Sequence, residues 1–202
     1  MKIALVAGGF LPIPPKGWGG VEIVVWKYYE KLTALGHEVV IFNSKDKEDI
    51  VSKINSGHFD FIHLHHDTYA RYFAKHLVMP FCVTSHYGYM LKEEKWSRGF
   101  FSIFADLFLA SGIIALSEEI RQKYLKTGYK NPLYVLRIGT VVNDFRLGPK
   151  GNGRALCLGK IEPRKKQAFL SSVLSGVVGI DFVGAVGDPS FKAEGSCRYL
   201  GS

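Results

Sequence analysis

Three cysteines in 202 residues, at positions 82, 157 and 197, are too few and too widely spaced for a disulfide framework. The odd count, with Cys82 and Cys157 in apolar runs, predicts reduced, buried thiols and a cytoplasmic protein. Acidic residues are the minority among the charges: 18 Asp and Glu against 26 Lys and Arg leave +8, a balance that favours anionic partners. The basic runs and aromatic-glycine signatures of nucleic-acid modules are missing, so nucleic acid is not an expected partner. Long hydrophobic runs are missing as well. The most apolar stretch, residues 99–116, is interrupted by Ser102, Asp106, Ser111 and Gly112 and falls short of a membrane span. The first residues show no basic, apolar and small-residue succession of a secretory signal.

Two familiar phosphate loops are also absent. Nothing matches Gly-x-x-x-x-Gly-Lys-Ser/Thr. The dinucleotide fingerprint fails at its third glycine, because Gly17-Trp18-Gly19 is followed by Gly20-Val21-Glu22. The strand that should end in a ribose-binding acid ends instead in Asn43-Ser44, which counts against a nicotinamide-dependent oxidoreductase.

What is present is an ordinary globular composition, 47% hydrophobic and 22% charged, with strand and helix signals in alternation. Strands are expected at residues 2–7, 37–42, 59–65, 81–85, 113–116 and 133–136. Between them the periodicity predicts helices at 21–35, 46–55, 68–77, within 97–110, and after Ser117. Ser117 reads as an N-cap, with Glu118 and Glu119 complementing the dipole of the helix it opens and Gly128 closing it. After a glycine- and proline-rich turn at 147–153 the pattern restarts: a strand at 154–158, a basic loop at 159–166, a helix at 167–174 and a strand at 180–183. The fold class is therefore α/β, one complete Rossmann-like parallel-sheet domain over residues 1–148 followed by an incomplete second Rossmann-like unit over 149–202.

Ligands of parallel sheets sit at the carboxyl ends of the strands, and polar residues gather there. The loop at 12–22, with Gly17, Gly19 and Gly20, leads into a helix N-terminus, where unpaired N–H groups and the positive dipole end attract anions. Alternatively the glycines serve only the turn. His65, His66 and Asp67 follow the third strand and His86 the fourth, either facing a crevice or hydrogen-bonded within their loops. His63 and His65 share a strand face, but no third ligand stands at a sensible spacing, so no metal is expected. Lys160, Arg164, Lys165 and Lys166 crowd a helix start, which is locally unfavourable by a few tenths of a kcal/mol each and calls for an anion unless the cluster is a solvated face.

Together the segments Gly-Trp-Gly-Gly-Val-Glu22, Leu35-Gly-His-Glu-Val39, Thr84-Ser-His86, Ala115-Leu-Ser117, Ile138-Gly139 running to Phe145, and Leu158-Gly-Lys-Ile-Glu-Pro-Arg-Lys165 stand in the order found in glycosyltransferase family 4. The chain resembles that family's retaining, two-domain enzymes of the GT-B fold. The resemblance implies a hexosyltransferase with no cofactor. Its substrates would be a UDP- or GDP-linked sugar and a carbohydrate, lipid or glycosylated acceptor, bound between an acceptor-side first domain and a donor-side second one. It implies that Gly19 and Gly20 lie against the donor phosphates and the reacting sugar, that His86 contacts the transferred sugar near its anomeric centre, and that Lys160 and Lys165 clamp the diphosphate. Trp18, Glu22 and His65 are acceptor-side candidates. Family members of this type need no bound metal, and no Asp-x-Asp motif occurs here.

The departures are Lys160 in place of the usual arginine, Lys166 in place of a frequent glycine, and a second half far shorter than the order of 100 residues such a half needs. The family's Glu-x7-Glu region is missing, so the chain is expected to be truncated. The alternative is a noncatalytic acceptor- or sugar-binding remnant that needs another chain to complete the crevice. Peripheral contact with anionic membrane through the basic, aromatic residues 92–104 is a side expectation.

Overall fold

A computed structural model describes residues 1–87, 98–140 and 153–202. The chain divides into two compact units, Met1–Thr140 and Val141–Ser202. The expected boundary at 148/149, most of the 147–153 turn, Gly88 and residues 92–97 lie outside the described residues.

In the first unit six strands form one parallel sheet in the order β2-β1-β3-β4-β5-β6. They are β1 (Lys2–Ala7), β2 (Glu38–Asn43), β3 (Phe61–Leu64), β4 (Cys82–Val83), β5 (Gly112–Ala115) and β6 (Leu133–Val135), with helices α1 (Gly20–Ala34), α2 (Lys47–Ser56), α3 (Ala70–His76), α4 (Arg98–Leu107) and α5 (Glu118–Lys126) between them. Strand alternation sorts the core into two layers. Ala4 and Val6 of β1 and Ile62 and Leu64 of β3 join Ile50, Ile54, Phe73 and Leu107 from the helices on one face. Ile3, Leu5 and Ala7 pack with Val25 of α1, beside Tyr28 and Leu32, on the other. Each fully buried Leu, Ile or Phe contributes on the order of 2 kcal/mol.

Helix boundaries follow their caps. The Asp46 side chain accepts from the N–H groups of Glu48 and Asp49 to open α2, and the Ser117 hydroxyl accepts from Ile120 to open α5, as expected. The strand expected at 81–85 is only two residues long in the sheet; the Thr84 N–H still donates to the Leu64 carbonyl, and beyond β4 the side chains of Thr84, Ser85 and His86 meet partners at the strand end. The helix expected at 68–77 opens with a single 3-10 turn, Asp67–Tyr69. Cys82 and Cys157 are half-buried rather than buried, and only Cys197 lies in a core; all three are free thiols. The two half-buried cysteines sit on strands, β4 and β7, that their neighbouring helices cover incompletely.

The second unit has its own parallel sheet, β7 (Ala155–Leu158), β8 (Ile180–Val183) and β9 (Arg198–Tyr199), and among its described residues a 3-10 turn, Pro163–Lys165, leads to the α-helix α6 (Gln167–Leu174). Its core is Ile161, Ile180, Phe182 and Cys197, flanked by Leu170 and Leu174. Arg154 ties the sheet to the last loop: its guanidinium pairs with Asp181 at 2.6 Å and donates to the Ser196 carbonyl at 2.8 Å. Among the described residues no helix is long and apolar enough to cross a membrane.

One glycine has a structural task that no other residue can perform. Gly9, at φ 68°, sits where a Cβ would come 2.6 Å from the Ser44 carbonyl carbon and 2.7 Å from the Lys45 nitrogen, both backbone atoms. Gly9→Ala is expected to destabilise the first unit by more than the about 1–2 kcal/mol of left-handed strain, because backbone rather than a side chain must yield. Urea denaturation with circular dichroism checks this. A midpoint equal to that of the unaltered chain would remove the close contact from the account.

Candidate functional site

The sheet order contains one switch point. From β1 the chain moves outward to β2, then crosses to β3 on the opposite side of β1, which makes the carboxyl ends of β1 and β3 the switch point where ligands of such sheets sit. Three loops meet there. The loop after β1 is pinned by Asn43, whose Oδ1 accepts from the Gly9 N–H at 2.9 Å and whose Nδ2 donates to the Leu11 carbonyl at 2.8 Å. The end of β2, which in a dinucleotide site carries a ribose-binding acid, is thus spent on holding a loop. Gly8 lets that loop close on the third strand, since a Cβ there would lie 3.0 Å from His66 Nδ1, and Phe10 packs edge-on against the His66 ring.

The loops after β3 and β4 are joined by side chains. His65 Nδ1 lies 3.0 Å from His86 Nε2, His63 Nε2 lies 2.8 Å from Thr84 Oγ1, and the Ser85 hydroxyl donates to Asp67 Oδ2 at 2.7 Å. His63 and His65 point to the face of β3 opposite Ile62 and Leu64, under α1, and Tyr28 of that helix lies against both rings. The result is a column of rings, Tyr28, His63, His65 and His86, with His63 and His65 centroids 3.9 Å apart.

Burial keeps these imidazoles neutral. It lowers His63 to about 3, with repulsion from His86 adding to the effect, and lowers His86 to about 4. His65 is held well below its ordinary value by burial and then by the charges its neighbours would carry. Tyr87, next along the loop, is raised by burial and then by the carboxylates of Asp67 and Glu22.

The candidate residues fall into distinct places. Glu22 is buried in the first turn of α1, and its carboxylate lies over Gly19, where a Cβ would sit 2.9 Å from Oε2. This acid already complements the positive end of α1, which the sequence left open to an outside anion. Gly19, at φ 142°, is the N-cap, and the space around Gly20 is open. Trp18 is 73% exposed. His65 is 1% exposed, under the rim of the sheet rather than on it. His86 is half-buried and reachable. His63, weighed only as a metal ligand on the face it shares with His65, and Thr84, noted only within the Thr84-Ser-His86 strand end, were given no site role by the sequence, and the structure brings the two together.

In the second unit the basic loop holds its own counter-charge. Glu162 pairs with Lys160 at 3.4 Å and with Arg164 at 2.8 Å, so part of the compensation assigned to a bound anion comes from the chain. Lys165 Nζ donates to the Lys160 carbonyl at 3.1 Å, and Gln167 Nε2 donates to the same oxygen at 3.0 Å, shaping the loop over the start of α6. Lys166 adopts φ 60°, the left-handed region in which glycine carries no strain. That conformation accounts for the expectation of glycine at this position.

No protein-family model and no curated protein matches the chain. Solved structures do. AviGT4, a glycosyltransferase involved in avilamycin A biosynthesis, is similar at 15% identity with a TM-score of 0.66, over 99% of this chain and 63% of that one. Anabaena Alr3699/HepE in complex with UDP and glucose is similar at 17% identity with a TM-score of 0.70, over 100% of this chain and 69% of that one. The chain thus spans about two-thirds of the length of these proteins. Identities this low establish the fold: α/β of the GT-B class, as the alternation of strands and helices predicts.

Proposed function

We infer that the chain belongs to a retaining glycosyltransferase that moves a hexose from a UDP- or GDP-linked sugar to an acceptor hydroxyl. The observation that carries this reading is His86, a neutral, half-buried imidazole fixed at the carboxyl end of a parallel sheet, just past β4 and one strand from the sheet's switch point. Breaking the bond between the anomeric carbon and phosphate builds positive charge on the sugar and negative charge on the diphosphate. A neutral donor beside the sugar binds its oxygens without repelling the charge developing on the ring. Lys160 and Lys165 are cations suited to a leaving diphosphate, and the open space at Gly20 suits close approach of a sugar, whereas the backbone at Gly19 lies under Glu22 and Leu11. The leaving phosphate itself takes the acceptor proton on the face from which it departs, which preserves the anomeric configuration. Trp18 and Glu22 then belong to the acceptor side. No metal and no cofactor enters this scheme.

A second reading, a noncatalytic binding module completed by another chain, is favoured by the Glu162 pairs, which already neutralise part of the basic loop. Calorimetric titration of the full chain with UDP and with GDP, followed by turnover of radiolabelled nucleotide hexoses, separates the two. Binding of one nucleotide is expected, weakened about tenfold by Lys165→Ala through loss of one charge-assisted contact. Binding without turnover would favour the module, and binding of neither nucleotide would remove the transferase reading and leave only an acceptor- or sugar-binding module.

A further inference from the structure

We propose that His65 is a positioning residue for His86: its Nδ1–H donates to His86 Nε2 and so fixes His86 as the tautomer that carries its proton on Nδ1. The geometry rests on the 3.0 Å contact between the two nitrogens, the stacked arrangement of the two rings at 5.2 Å, and the depth of His65, which is 1% exposed. Two neutral imidazoles joined by one hydrogen bond can place the shared proton on either partner, and the other nitrogen of His65 decides between them. His65 Nε2 is buried and has no hydrogen-bond partner among the described residues. If His86 were the donor, His65 would carry its proton on Nε2 and bury an unpartnered N–H. If His65 is the donor, its Nε2 buries only a lone pair. Orphaned buried N–H groups are the rarer of the two in folded proteins, so the proton belongs between the rings on the His65 side.

The consequence deepens the reading of sugar transfer and rests on it for its catalytic meaning. With Nε2 occupied as an acceptor, His86 offers a substrate one atom, Nδ1, and offers it as a neutral N–H donor. It cannot serve as a base there, because the Nδ1 lone pair is already protonated. A donor suits a hydroxyl or ring oxygen of a sugar. His65 thereby leaves the acceptor-side group in which the sequence placed it and acts through His86 instead. The ring column prepares this arrangement: His63 and Tyr28 press on His65 from the α1 side and leave its Nδ1 edge turned to β4.

Long-range proton–nitrogen NMR on the full chain with labelled histidine reads the tautomer directly, with the His86 signals assigned by their loss in His86→Gln. The unaltered chain is expected to show His86 protonated on Nδ1 at neutral pH. His65→Leu should return it to the Nε2-protonated form that free imidazole side chains prefer, while His65→Asn, whose amide nitrogen takes the place of Nδ1, should retain the Nδ1 form. In transfer assays His65→Leu should lower kcat about tenfold with little change in KM, as loss of one aligned hydrogen bond predicts, and His65→Asn should restore most of it. An unaltered chain with His86 protonated on Nε2 would overturn the proposal, as would a His65→Leu spectrum identical to the unaltered one. The spectra decide this even if no donor is turned over, an outcome that removes the sugar-transfer assignment and not the tautomer.

Discussion

His86→Ala is expected to lower the rate of sugar transfer by about a hundredfold or more and to leave nucleotide affinity nearly unchanged. The magnitude is that of removing one preorganised donor from a site where charge develops in the transition state. Affinity is spared because the nucleotide's contacts are assigned to the second unit, whereas His86 is assigned to the sugar at the moment of bond cleavage. Alanine also strips His65 of its acceptor and leaves a buried donor unpaired, at a cost of about 1–3 kcal/mol in stability. His86→Gln separates the two effects. The glutamine amide reaches the position of Nε2 and keeps a partner for His65, but presents nothing at the position of Nδ1. It should therefore fold with near-normal stability and still transfer sugar as slowly as the alanine variant. A glutamine variant with full activity would show that His86 serves only to pair with His65, and the catalytic role would be withdrawn.

The sequence made the sheet legible because its strands are short, apolar and bounded by caps that have few alternatives. β1, α6 and β8 fall on the expected residues, and α1 and α5 begin within one residue of where glycine and serine predict. The differences arise at strand ends. β4 is assigned only as far as Val83 although the Thr84 N–H still donates to the Leu64 carbonyl, and the side chains of Thr84 and Ser85 meet His63 and Asp67, contacts 21 and 18 residues away that no local pattern encodes. Burial of Cys82 and Cys157 failed for a related reason: an apolar run identifies a strand, but how fully a helix covers it depends on packing between elements.

The site was legible as a set of strand ends but not as a network. Period-two alternation put His63 and His65 on one face, and the topology put His86 at the rim, yet the bond between His65 and His86 needs the spacing of β3 against β4, which register alone supplies. Helices do start at Gly20 and Gln167, where anion-attracting ends were expected, but Glu22 covers the first and Glu162 neutralises part of the second. A substrate at either place meets a carboxylate already present, so affinity there must come from aligned contacts more than from net charge.

The buried histidines also predict the steepest response of this fold to solution conditions. In the unfolded chain each imidazole binds a proton near pH 6.5, whereas in the folded chain His63 does so only near 3 and His86 near 4. Between these values the unfolded state holds more protons, so stability is fully present above about pH 6.5 and falls as the pH drops toward 4. At pH 5 the linkage costs about 2 kcal/mol for each such ring, and His65, shifted in the same direction, adds to it. Two or three rings acting together approach the whole stability of an ordinary domain, which is about 5–15 kcal/mol. The carboxylates of Glu118, Glu162 and Asp181, held low by their hydrogen bonds and ion pairs, add their loss only below about pH 4.5 and are separable by window. Urea midpoints of the first unit measured from pH 7.5 to 5 should therefore fall steeply. In His63→Gln, whose amide keeps a partner for the Thr84 hydroxyl without titrating, the slope should lose about one proton's worth, near 1.4 kcal/mol per pH unit. A slope unchanged by that substitution would mean that His63 is already charged or already open to solvent at neutral pH, and the ring column would lose its footing as the neutral support of His86.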